Sequence, residues 1–368
     1  MDVETQSAAK LIKIDSVPTN GDPDGNRLLP PAAVETATRV LERLERPGAS
    51  PVIDADVHIT DLDSLDDARL RRYRTTPDYY HGRPISAEDA IREMDMAGVD
   101  MALVWQNPTA TAYGPDPGGN TRSLAAANRY IADSAARFPD RFIPAGWVDP
   151  RACGLENTFA LAETLVREWG FLIVKLNPAQ NCYSIDSPQA LAVVDRIVAL
   201  GAIPAFHFGA DTPYTPVEGL RRVAERHPDW PLIAVHMGGG GASYSEAEPV
   251  YAAARRLGLA RPNIRYVFST RRDTHIESDL IAYQLAGEPF CRNLFCASDA
   301  PYGRMTWNFG GFRAMFRSLQ DGERHTDARV RPGLFTAEAV SNYLGGNFAR
   351  LVADGYRRML APVESCPV

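Results

Sequence analysis

The 368-residue chain is poor in cysteine, and the five it has are badly placed for a framework. Cys153, Cys182, Cys291, Cys296 and Cys366 are odd in number and widely spaced, with no Cys-x-x-Cys pair. That argues against a disulfide scaffold and against a thiolate zinc site. Long apolar runs are missing too, since none approaches the ~20 residues that cross a bilayer. The opening Met1-Asp-Val-Glu-Thr-Gln lacks the basic start and apolar core of a secretion signal. Positive charge is in deficit: the formal net charge is -7. Neither nucleic acid nor an anionic membrane is an expected partner for such a chain. These absences predict a cytoplasmic protein that acts on a small molecule.

What is present is an alternation. Residues 1 to about 31 are polar and broken by Pro and Gly, and 32 to 46 carry helical spacing closed by Pro47-Gly48. Residues 1–48 therefore read as an arm and helix, and 49–368 as one domain. Strands are expected at 52–57, 99–105, 142–148, 171–177, 203–208, 232–236, 264–269 and 294–298. Helices are expected between them and at 336–353. Eight strand–helix units predict a closed (β/α)8 TIM barrel with an N-terminal extension and a C-terminal helix packed outside. An open dinucleotide-binding sheet would show a Gly-rich turn after its first strand, and none is there.

Chemistry gathers where the apolar runs end. Asp54, Asp56, His58 and Thr60 alternate with Ile53, Ala55 and Val57, so the polar set shares one face. Turned inward, its carboxylates would be costly to bury unpaired, and a cation would relieve that cost. His207, His236 and Asp299 each close a later run. Alone, each is as readily a structural histidine or a helix-capping acid. Delivered to one end of a barrel, they become candidate metal ligands. Lys175 is expected to point into the barrel, where it needs an acidic partner, binds a substrate carboxylate, or becomes a carbamate between two metals. Arg271 and Arg272 suit a carboxylate clamp, and Trp105 and Tyr302 suit pocket walls. The long connection from Ile59 to Pro84, with Tyr79-Tyr80-His81, is placed to form a lid.

Five segments, in order, resemble the amidohydrolase-related family, the branch that contains aminocarboxymuconate-semialdehyde decarboxylase. They are Phe138-Pro-Asp-Arg-Phe142 leading to Val148-Asp-Pro150, Gly170-Phe-Leu-Ile-Val-Lys-Leu176, His236-Met-Gly-Gly, Ser298-Asp-Ala-Pro301 and Leu344-Gly-Gly-Asn347. The resemblance spans roughly residues 52–353. It implies a barrel holding one divalent metal ion, zinc or manganese, with Asp56, His58, His207 and Asp299 as ligands and His236 beside them. The family's usual first motif is His-x-His. Here it reads Asp56-x-His58 or, one step along, His58-x-Thr60. The acid in the first reading favours an oxygen-loving ion such as manganese. The resemblance implies a metal-dependent hydrolase, with Asp299 as base and His236 as acid or carbonyl polariser. The alternatives are a decarboxylase of a small aromatic or unsaturated acid, or a metal-free binding barrel. A homodimer is the expected assembly.

Overall fold

The computed structural model describes residues 29–48, 50–75, 83–209, 212–239, 249–269, 273–322 and 325–361. Eight strands follow one another around a single sheet: β1 Ile53–Ile59, β2 Met101–Gln106, β3 Phe142–Trp147, β4 Ile173–Leu176, β5 Ile203–Gly209, β6 Leu232–Gly239, β7 Ile264–Phe268 and β8 Leu294–Cys296. Each pairs in parallel with the next. Closure between the last and first strands runs through a lone bridge, Val57 to Ala300, with His58 N–H donating to Ala300 O at 2.7 Å. The (β/α)8 expectation is met.

Helices return the chain between strands. Ala87–Ala97 starts at a reciprocal cap, in which Ser86 Oγ takes the Asp89 N–H while Asp89 takes the Ser86 N–H. It stops at Gly98, whose φ of 61° suits glycine. The other returns are Pro117–Arg137, Leu155–Glu163, Pro188–Ala199, Val217–Arg226, Pro249–Ala260, Asp273–Ala286 and Met305–Asp321. Their apolar faces and the outward side chains of the strands make one continuous core.

Two more helices cover the barrel's amino-terminal end. Asn347–Leu360 buries Leu351, Val352 and Tyr356, and the Tyr356 hydroxyl donates to Gly170 O at 3.2 Å. The chain just before it lies tight against the entry to β1: a Cβ on Gly345 would stand 1.9 Å from Pro51 O. The N-terminal helix Pro31–Leu44 buries Ala33, Ala37 and Val40, with Ala37 and Val40 part of the common core. Functional groups are left to the opposite end.

The expected strands and helices agree with the observed ones to within a few residues, except that the last helix runs on to Leu360, well past the expected 353. β6 runs three residues past His236, and β8 stops three before Asp299, so Asp299 is set by the turn and not by the ladder. The described cysteines are free thiols. No described helix is long and apolar enough to cross a membrane.

Candidate metal centre

Every residue of β1 is buried. The polar ones are therefore held by partners or they would open the fold. Asp54 is held by the far end of the chain. Ser298 N donates to its Oδ1 at 2.9 Å, Ser298 Oγ to its Oδ2 at 2.5 Å, and Asp56 N to Oδ1 at 3.2 Å. Burial pushes the Asp54 carboxyl up to about 8, against the pull of the Ser298 bonds. Asp54 thus closes the barrel seam and is spent on structure.

Asp56 faces the axis. Trp105 Nε1–H donates to its Oδ1 at 2.9 Å and Ser269 Oγ to its Oδ2 at 3.2 Å, while Lys175 Nζ stands 3.6 Å from Oδ1. Lys175 is itself 1% exposed and packs over the faces of Trp105 and Trp147, at 3.8 and 4.9 Å from the ring centroids. Burial lowers the lysine's pKa, and the charges of Asp56 and Asp299 oppose that shift.

His58 is the second member. Its Nδ1 lies 2.9 Å from Gln106 O, an acceptor only, so Nδ1 carries a proton and Nε2 is the nitrogen turned toward the acids. That Nε2 is 3.5 Å from Asp56 Oδ1 and 3.5 Å from Asp299 Oδ1. Trp105, Trp147 and Tyr302 pack around the ring with centroids 5.9, 5.8 and 5.7 Å away. The imidazole therefore has little freedom to turn.

Asp299 completes the group, with φ at 59°. A non-glycine residue held there costs about 1–3 kcal/mol, and such residues cluster at functional sites. Burial and the nearby Asp56 raise its carboxyl, while His58 and Lys175 draw it down. One ligand atom from each of Asp56, His58 and Asp299 lies within 4.8 Å of the others. Two carboxylates face one lysine in a buried space, and the imidazole turns Nε2 toward both acids. The chemistry of this donor set fits a divalent cation.

The remaining candidates divide. His207 lies outside the three-residue cluster, partly exposed, with its ring edge-on to His236 at 4.6 Å. His236 Nδ1 is 2.8 Å from Ser269 Oγ. Because the single Ser269 hydroxyl proton goes to Asp56, Ser269 accepts from His236 Nδ1–H. His236 and Met237 have φ of 76° and 47°, a second strained turn beside the site. Trp105 is fully buried and grips Asp56, so it does not wall an open pocket. Tyr302 does stand at the open side, partly exposed and donating to Asn107 Oδ1 at 2.7 Å. Arg271, Arg272 and Tyr79-Tyr80-His81 lie outside the described residues.

Sequence reasoning missed Ser269 and Ser298, which join Asp56 to His236 and Asp54 to the seam. A signal was available: each is the polar residue that closes an apolar run. It missed Gln106 altogether, because a backbone carbonyl's role leaves no trace in residue type.

Residues 53–324 match the family model described as amidohydrolase, and the chain belongs to that family. Its barrel is similar to several solved structures. The 5-carboxyvanillate decarboxylase of Novosphingobium aromaticivorans, complexed with manganese and 4-hydroxy-3-methoxy-5-nitrobenzoic acid, superposes with a TM-score of 0.60 at 16% identity, covering 83% of this chain and 97% of that one. The 2,6-dihydroxybenzoate decarboxylase from Rhizobium gives 0.57 at 16%, covering 82% and 98%. The 5-carboxyvanillate decarboxylase from Sphingomonas paucimobilis gives 0.57 at 18%, again covering 82% and 98%. At such identities the likeness is one of fold. Among curated proteins no sequence match is found.

Proposed function

We propose that the chain is a metal-dependent decarboxylase of a small aromatic carboxylic acid. The observation that carries the reading is the buried Asp56–His58–Asp299 cluster at the strand ends, with Tyr302 on its open side. Hydrolysis, the first expectation from sequence, gives way to its alternative. All three similar barrels cited above are decarboxylases of aromatic acids by name, and an aromatic side chain at the open edge suits a planar ring.

Asp56, His58 and Asp299 would hold the ion, and two carboxylates among three ligands favour manganese over zinc. When bound, a divalent cation supplies Lewis acidity and a fixed point for the substrate's oxygens. The protein's own groups do the rest. Trp105, Ser269 and Lys175 fix Asp56, and Gln106 fixes the His58 tautomer. We assign proton delivery to Asp299, which faces the cluster and whose carboxyl burial raises. As the bond between ring carbon and carboxyl carbon breaks and carbon dioxide leaves, the electron pair left on the ring takes that proton. His236 gives Nδ1–H to Ser269, whose hydroxyl in turn holds Asp56. We assign His236 to orienting Asp56 through that hydroxyl.

The test is carbon dioxide release from a panel of hydroxybenzoic acids by the manganese-loaded protein, beside a panel of esters and lactones. Manganese-dependent decarboxylation that Asp299→Asn abolishes is the expected result. Ester or lactone turnover without carbon dioxide would restore the hydrolytic reading and overturn this one.

A further inference from the structure

The candidate metal centre already contains one cation. Lys175 lies on β4, paired with Trp147 on β3 and Ala205 on β5, and is 1% exposed. Its Nζ stands over the indole faces of Trp105 and Trp147. The acids that act on it are Asp56, 3.6 Å away, and Asp299.

Both indoles are held in place. Trp105 gives its N–H to Asp56. The Asn128 amide grips the Trp147 backbone from two sides, with Oδ1 accepting from Trp147 N at 2.8 Å and Nδ2 donating to Trp147 O at 2.9 Å. An indole face attracts positive charge, so the cage suits an ammonium. It does not suit a carbamate, which would set an anion against two ring faces and two acids.

Asp56 is positioned chiefly by hydrogen bonds, from Trp105 Nε1 at 2.9 Å and Ser269 Oγ at 3.2 Å. Lys175 stands further off and adds charge. That charge is set against Asp56 Oδ1, the oxygen that lies 3.5 Å from His58 Nε2. An ion held by the same oxygen meets a like charge at close range in a buried site. We propose that Lys175 is a resident counter-cation. It neutralises the two acids in the metal-free protein and competes with the metal ion for them, so the centre binds one ion more weakly than its ligands alone would. The inference rests on the metal reading of Asp56, His58 and Asp299, and is independent of the reaction that the metal serves.

Calorimetric manganese titration of the metal-free parent and of Lys175→Met, with thermal unfolding of each with and without the ion, tests it. Methionine keeps an unbranched chain between the indoles and loses the charge. Lys175→Met should bind manganese about tenfold tighter or more. Its metal-free form should melt below the parent, because two buried acids lose their counter-charge. Saturating manganese should then raise its melting temperature by more than it raises the parent's, a difference that a purely structural lysine would not produce. Lys175→Gln is a second neutral variant should the methionine protein fail to fold. Lys175→Arg keeps the charge and should bind manganese as the parent does. Weaker manganese binding by the neutral variants, or equal melting shifts in variant and parent, would overturn the proposal. Two manganese ions per chain in the parent given bicarbonate would overturn it in favour of a carbamate. If parent and variants all take up no divalent ion, the metal reading itself falls and takes this inference with it.

Discussion

Replacing Ser298 with Ala removes one oxygen from the barrel seam, and the structure sets what that should cost. Ser298 Oγ donates at 2.5 Å to Asp54, a carboxyl with no solvent exposure, and accepts from Ala300 N at 3.1 Å. With the Asp54 carboxyl raised to about 8, both bonds are neutral ones at pH 7, each contributing about 1 kcal/mol. Neither partner can turn to water in the variant. The expected loss is therefore about 2 kcal/mol, read at pH 7 by urea unfolding of the metal-free protein. A double-mutant cycle with Asp54→Asn should return a coupling of about 1 kcal/mol, because the two side chains share one bond. Asp54 also receives the Asp56 N–H, so manganese affinity should fall alongside stability. A Ser298→Ala protein within ~0.5 kcal/mol of the parent, the scatter of ordinary surface changes, would refute the claim that this pair locks the seam.

The parent should hold about one manganese per chain by elemental analysis, and Asp299→Ala or Asp56→Ala should hold none. Trp105→Phe keeps a ring beneath Lys175 but loses the N–H to Asp56. Metal affinity should drop about 10- to 100-fold, the usual effect of losing a ligand's supporting partner, with unfolding unchanged in cooperativity. Burial also lifts Asp149 from 3.8 to about 6, so the folded chain keeps a proton that the unfolded chain has released. The stability this proton supplies is full below pH 3.8 and is lost as pH rises through 6. At 1.36 kcal/mol per pKa unit, the parent should lose about 3 kcal/mol relative to Asp149→Asn across that window. Parallel stability curves for the two would count against a buried, neutral Asp149.

The barrel was legible because its period is coarse. Eight apolar runs that each end in a polar residue survive an error of two residues at either end. The metal cluster was legible in part, since Asp56 and His58 lie two apart on one strand and any inward register brings both to the axis. Asp54 shares that face and was expected to need a cation as well. It is satisfied instead by Ser298, a partner 244 residues away, and no local pattern announces such a pairing. Trp105 shows a related ambiguity. An indole at a strand end is as good a wall as it is a hydrogen-bond donor, and only the packing of β2 against β1 decides between them. His207 is a metal ligand by resemblance. In the structure its ring packs against His236, which the spacing of residues along β5 and β6 could not reveal.

The seam that joins Asp54 to Ser298 and His58 to Ala300 also dictates an order of assembly. Strands β1 to β7 can pair as they leave the ribosome, each with the one before it. The closing pair must wait until the segment around Asp299 has been made, and that same segment brings the third member of the metal cluster. A nascent chain that stops short of it has an open edge at β1 and an incomplete set of ligands. Manganese uptake during synthesis should therefore arrive in a single late step, and it would serve as a clock for the moment the ring is shut.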